Sequence, residues 1–149
     1  MKNKFYGKYK AVVVDINDKQ KRGRIRVQCP KVLGDFKSAW CEPCIPVCYE
    51  GGGDFYLPKI NDTVWIEFEE GDSNKPIWVG NWWSNNNTSS KDYSADKRII
   101  EFDGCKIEMT KDIFKASVKG SFIEIKENAI NIIAGSSTLI LKDGNIFLN

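Results

Sequence analysis

Short runs in which apolar and polar residues alternate, each closed by turn residues, fill the first half of the chain. Lys10 to Ile16 reads as a strand that breaks at Asn17 and Asp18. Arg24 to Gln28 sets Ile25 and Val27 against Arg24 and Arg26, so one side is apolar while the arginines stay in water, and Pro30 ends it. Trp40 to Val47 reads as an extended, proline-interrupted strand, and Gly51 to Gly53 as a flexible turn. Thr63 to Glu69 alternates Val64, Ile66 and Phe68 with Trp65, Glu67 and Glu69, and Pro76 to Trp82 completes the set. No stretch carries the 3.6-residue period of an amphipathic helix. Five short strands punctuated by glycine predict an all-β fold that begins with a five-stranded Greek-key barrel of the OB type over residues 1–83.

The pattern then changes twice. Residues 84–97 are polar, with Asn85, Asn86, Asn87, Thr88, Ser89 and Ser90 in succession, and read as a linker. From 98 to 149 strand signals return with a fixed period. Ile107-Glu108-Met109-Thr110 recurs as Ile123-Glu124-Ile125-Lys126 and as Leu139-Ile140-Leu141-Lys142, each time sixteen residues on. Every unit holds two strands: Ile107 and Met109 then Phe114 and Ala116; Ile123 and Ile125 then Ile130 and Ile132; Leu139 and Leu141 then Ile146 and Leu148. Corners are expected at Asp103-Gly104, Lys111-Asp112, Lys119-Gly120, Glu127-Asn128, Gly135-Ser136 and Asp143-Gly144. Alternate residues of a strand share a side, so those twelve apolar residues can face one axis as a spike core. Ile113, Phe122, Ile133, Ile140 and Phe147 have the other parity, so neither side is wholly polar. An array this short cannot shelter its apolar stripes alone. Three chains wound as an intertwined β-helix or β-prism would cover them; an array folded back on the barrel is the alternative.

Composition narrows the chemistry. A net charge of +2 over 149 residues conceals a basic start, in which Lys2, Lys4, Lys8, Lys10, Lys19, Lys21, Arg22, Arg24, Arg26 and Lys31 meet only Asp15 and Asp18. Such a block suits phosphates or an acidic partner, or simply a solvated barrel face. No run approaches the roughly 18 apolar residues of a membrane span, and the charged start lacks a signal peptide's apolar core, so synthesis in the cytoplasm without a leader is expected. Cys41, Cys44 and Cys48 form C-x2-C-x3-C, but the chain has no histidine. A fourth zinc ligand would have to be Cys29 or Cys105. Small cysteines buried among strands are the simpler reading, and no metal or cofactor is expected.

A resemblance enters through the barrel residues. Gly23-Arg24-Ile25-Arg26-Val27, Pro30, Ser38-Ala39-Trp40, Gly53-Asp54-Phe55-Tyr56-Leu57-Pro58, Asp62 through Glu69 with Val64, Trp65 and Phe68, Gly71-Asp72, and Pro76-Ile77-Trp78-Val79-Gly80 form a combined string. From about Tyr6 to Trp83 it closely resembles the OB domain of contractile-tail central spikes: phage baseplate assembly protein V, the phage cell-puncturing spike, the valine-glycine-repeat spike of type VI secretion, and tailocin spikes. The resemblance implies a homotrimer docked beneath a trimeric baseplate hub, plugging the tube and tapering to a point that meets the target cell envelope. It implies assembly into a phage tail or an extracellular contractile particle. Larger phage spikes insert a lysozyme domain between barrel and needle, and here only residues 84–97 stand there, so no enzyme activity is expected. Some short spikes bind iron at the tip through His-x-His, which a histidine-free chain cannot do. The end is then blunt, sharpened by ordinary side chains, or capped by a separate tip protein.

Two other functions compete. OB barrels bind single-stranded nucleic acid by stacking and basic grooves, for which Trp40, Tyr56, Trp65, Trp78, Trp82 and Trp83 are candidates. Several of these alternate with core positions, so nucleic acid is not the expected partner. A carbohydrate-binding or carbohydrate-cleaving tail protein would draw on Asp62, Glu67, Glu69, Glu70 and Asp72, but Glu67 and Glu69 on one strand face read as a solvated edge and not a cleft.

Overall fold

The structure, a computed structural model, describes residues 3–85 and 93–149. Residues 86–92 of the expected linker lie outside the described residues. Its contacts divide the chain into two compact units, Met1–Thr88 and Ser89–Asn149.

The first unit is a curled five-stranded sheet. Strands β1 (Tyr9–Asp15), β2 (Arg26–Gln28), β3 (Glu42–Pro43), β6 (Thr63–Phe68) and β7 (Pro76–Asn81) lie in the order β2-β1-β6-β7-β3. A separate two-stranded ladder joins β4 (Cys48–Tyr49) to β5 (Gly52–Gly53). The outer edges of the five-stranded sheet meet: Ile25, just before β2, and Cys41, just before β3, exchange both backbone hydrogen bonds, at 3.3 and 2.7 Å. That exchange turns the sheet into a barrel and removes its edges. The inward positions of alternating strands fill it: Val13, Ile25, Val27, Cys29, Cys41, Val64 and Ile66 are all fully buried, with Ala11, Phe68 and Trp78 beside them.

Several boundaries differ from the sequence expectation, each for a local reason. Arg24 is held in the loop by Asp18, so the second strand begins at Arg26. Trp40 to Val47 is not one strand: Cys41 forms the closing bridge and β3 keeps only Glu42 and Pro43. Gly52 and Gly53 are a strand of the small ladder rather than a turn. Pro30 ends β2 by starting the one-turn helix α1 (Pro30–Leu33), whose Val32 and Leu33 pack on the core; four residues are too few to show a helical period. Glu69 leaves the strand for a 3-10 turn, Glu69–Gly71, so it does not share the strand face of Glu67.

The second unit is a seven-stranded antiparallel meander: β8 (Arg98–Phe102), β9 (Cys105–Met109), β10 (Phe114–Val118), β11 (Ser121–Lys126), β12 (Ala129–Ala134), β13 (Ser137–Lys142) and β14 (Asn145–Leu148), paired in sequence order. Asp103-Gly104, Lys119-Gly120 and Asp143-Gly144 have φ of 46° and 82°, 46° and 88°, and 51° and 73°. Positive φ at both residues marks the type I′ turns that match strand twist. Glu127-Asn128 and Gly135-Ser136 are also two-residue links, whereas Lys111-Asp112 sit inside a wider loop closed by Thr110 N–H donating to the Ile113 carbonyl at 2.8 Å. The sixteen-residue repeat is thus two hairpin strands with their turns. Pairing between neighbours in one chain satisfies the ladder, and β8 and β14 are its two outer strands.

Two outcomes test the barrel, read by tryptophan emission because all five tryptophans fall within the first unit. Gly23 has φ of +72°, and a Cβ there would lie 3.3 Å from Phe55, so Gly23→Ala should destabilise the barrel by about 1 kcal/mol in urea unfolding. The Arg24 guanidinium holds the Asp18 carboxyl far below the usual carboxylate range. Its contribution is therefore full above an unfolded value of about 4 and is lost as pH falls further toward the folded value. Asp18→Asn should be least stable relative to the parent near neutrality, with the gap closing below about pH 4.

Candidate functional site

The barrel motif builds structure and converges on no cleft. The Gly23 carbonyl accepts from Trp78 Nε1 at 3.2 Å, tying the start of the second strand to β7. Arg24 Nη2 meets Asp18 Oδ1 at 2.7 Å, with the two side chains only 13% and 4% exposed. Asp18 also accepts from the backbone of Gln20 and Arg22, so one carboxylate organises the whole β1–β2 loop. The sequence marked Asp18 as a strand breaker and a charge but not as the partner of Arg24; its position six residues before Arg24, within an Asx-rich turn, was the available signal. Arg24 and Arg26 lie 5.7 and 5.8 Å from the Trp40 ring, and Arg26 Nε donates to the Ser38 carbonyl at 2.8 Å. Arg24 is therefore covered, against the expectation that both arginines stay wet.

Val64, Pro58 and Pro76 are buried, and Leu57 packs on the core. Phe68 sits with Phe5 and Tyr9, and Gly71, at φ +74°, lets the Phe5 backbone approach so that Phe5 N–H donates to its carbonyl at 3.0 Å. Trp65 opposes Gly80 at a bulge of the β6–β7 pair. Asp72 Oδ1 accepts from the Asn74 backbone at 3.0 Å.

The groups proposed for other chemistries are dispersed. Lys10 lies over Trp65 and Trp82, Lys8 pairs with Glu67, Arg22 with Glu42 at 3.1 Å, and Lys4 Nζ donates to the Glu70 carbonyl. Much of the basic block is thus engaged within its own unit. Of the carboxylates, Glu69 pairs with Lys75 at 3.6 Å and Asp62 accepts from the Lys59 backbone at 2.8 Å. Cys41 is buried beside Ser38 Oγ at 3.5 Å, and desolvation pushes its thiol up to about 11. Cys29 is buried too, but Cys44, Cys48 and Cys105 are exposed, which corrects the expectation of buried cysteines. Among the described residues no group of three or more His, Cys, Asp or Glu side chains is placed to hold a metal ion.

The second unit does gather its predicted residues. Strand register puts Ile107, Ala116, Ile123, Ile132, Leu139 and Leu148 in one cross-strand row and Met109, Phe114, Ile125, Ile130, Leu141 and Ile146 in the next, on the same face. Ile100 and Phe102 extend it on β8. A concavity of about 460 Å³ opens there against Ile100, Phe102, Ile107, Ala116, Ile123 and Ile132. Not one described residue of this unit is buried, and Phe114, Ile123 and Ile125 remain 40%, 45% and 42% exposed. The other face carries charge. Glu108 meets Lys106 at 2.9 Å and Lys97 at 3.5 Å, and Glu124 meets Lys126 at 2.8 Å and Asn131 Nδ2 at 3.1 Å. Lys106 and Lys126 respectively lead in holding these two carboxyls below their ordinary value.

A closed β-barrel with a covered arginine, followed by a strand array without a core, is the geometry to set beside known proteins. No curated protein matches the chain. Residues 9–83 match the family described as the type VI secretion system/phage-baseplate injector OB domain. The match spans β1 through β7 and two residues beyond, from the curled sheet's first strand to its last. The chain belongs to the injector OB domain family of type VI secretion systems and phage baseplates, and its role is a structural one in such a baseplate.

Proposed function

We propose that the chain is the central spike of a contractile phage tail, tailocin or related injection system, assembled as a homotrimer. One observation carries this reading: an injector-family barrel is followed in the same chain by a repeat-built sheet in which no described residue is buried. A barrel that closes on its own core needs no partner to fold, whereas a seven-stranded sheet with an open apolar face does. Three copies packed around one axis cover that face.

The mechanism is transmission of force. When a sheath contracts, load reaches the barrels beneath a trimeric hub and passes to the narrower sheet assembly, which meets the target envelope directly or through a separate tip-capping protein. Because each ladder is complete within its chain, association has to supply face burial rather than missing strand pairs. A β-prism of three such sheets fits this better than strands exchanged between chains. The engagement of Lys4, Lys8, Lys10, Arg22, Arg24 and Arg26 inside the barrel unit weighs against a phosphate-tracking groove.

Light scattering coupled to size exclusion should return the mass of three chains for the purified protein. A single-chain mass with the C-terminal sheet still ordered would overturn the proposal. Steeply salt-dependent binding to a single-stranded oligonucleotide would instead assign the barrel to nucleic acid.

A further inference from the structure

We infer that the outer edge of β14 pairs antiparallel with β14 of a second copy across a two-fold axis, with Phe147 facing Phe147 of that copy. The strand and the residue after it read nearly the same in both directions: Asn145-Ile146-Phe147-Leu148-Asn149. Laid against itself about Phe147, the segment sets asparagine opposite asparagine and isoleucine opposite leucine. The backbone parity agrees. Thr138 and Asn149 exchange both hydrogen bonds, at 2.7 and 3.0 Å, so in the β13–β14 register Asn149, Phe147 and Asn145 aim their N–H and C=O groups at β13. Ile146 and Leu148 therefore aim theirs outward, and these are the residues that the two-fold register brings together. Each Ile146 then exchanges both backbone bonds with Leu148 of the other copy, and Phe147 falls at the non-hydrogen-bonded position where facing side chains come closest.

Nothing in the strand opposes such a contact. Sheets blunt their edges with charge, proline or a bulge. The other outer strand, β8, carries Arg98 and Glu101, whereas β14 has neither charge nor proline and its register with β13 runs without a shift. Ile146, Phe147 and Leu148 are 67%, 54% and 77% exposed, and among the described residues no strand lies on their outer side. Residues directly opposite in a ladder share a face, so the pairing carries the row through Leu139 and Leu148 on into Ile146 and Leu141 of the second copy. A strand of other sequence can meet the same backbone groups, but a second β14 also matches isoleucine to leucine on one face and phenylalanine to phenylalanine on the other. The contact is separate from the three-fold association proposed above, because a three-fold operator cannot set a strand against itself. It joins assemblies in pairs whatever their own count. On the spike reading, two trimers so joined cover their last strands, which must part before those strands meet an envelope or a capping protein. One edge is short, so the association is weak for single chains and gains from several edges acting together.

Light scattering of the full chain over rising concentration should show its low-concentration mass increase about twofold. Phe147→Lys and Phe147→Glu each set like charges opposite one another across the axis and should stay at the low-concentration mass. Their equimolar mixture should regain the doubling, which a merely damaged sheet would not. Leu148→Pro removes an outward N–H and spares the β13 ladder, so it should abolish doubling with unchanged far-ultraviolet circular dichroism. A parent mass that never rises with concentration, a mixture that fails to pair, or doubling that survives Leu148→Pro would overturn the inference. Amide exchange at Ile146 and Leu148 that is equally slow at low and high concentration would place the edge under cover within a single assembly and overturn it as well. A low-concentration mass of three chains that never doubles would leave the spike reading standing without this contact, and a single-chain mass that doubles would leave the contact standing without the trimer.

Discussion

An antiparallel sheet satisfies its backbone by pairing each strand with its neighbour, but it cannot cover its own face. That limit governs the second half of this chain. The hydrogen-bond ladders from β8 to β14 are made between consecutive strands, yet Ile123 and Ile125 remain exposed and none of their row partners is buried. The barrel solves the same problem differently. There the sheet curls until Ile25 and Cys41 pair, and its inner face becomes a core with no solvent side. One chain thus contains a self-covered sheet and an uncovered one, and the difference is closure, since both are rich in β-branched and aromatic residues.

What makes closure possible in one unit and not in the other lies in the connections. In the barrel, long links such as the loop organised by Asp18 and the segment around α1 let strands change direction and let β3 join β7 in parallel. Bulges in β1 between Val13 and Asp15 and in β7 opposite Trp65 and Ile66 add bend. In the array, five of the six links hold two residues, which fixes each strand beside its predecessor and allows no crossover. Such a chain lengthens its sheet by adding hairpins but never seals it.

Much of this was legible because it is local. Strand parity places Ile107, Met109, Phe114 and Ala116 on one side with no knowledge of tertiary structure, and Asp-Gly and Lys-Gly pairs announce their turns. The barrel core was readable from Val64, Ile66 and Phe68 for the same reason. Features that depend on distant or irregular contacts were not readable. Asp18 reaches Arg24 across a folded loop, α1 is a single turn, and Cys41 is buried while Cys44, three residues on, is exposed because an isolated bridge rather than a regular strand orients that segment. The candidate site belongs with the legible features: its row residues follow from period, its openness was expected from the shortness of the array, and no described residue of the unit is buried.

Charge placement completes the argument. The basic start invited a partner of opposite sign, but a lysine or arginine that is already held by a carboxylate, a carbonyl or an indole face has less to offer one. Lys8, Arg22 and Arg24 are held by Glu67, Glu42 and Asp18, and Lys10 by two tryptophans. The same economy shapes the array, where Lys106 and Lys126 neutralise Glu108 and Glu124 on one side and leave the two central rows of the opposite side apolar from β9 to β14. Under the proposed trimer, the barrel forms in isolation while the array gains its full stability only on association, so the number of copies and the order of the second unit would rise together.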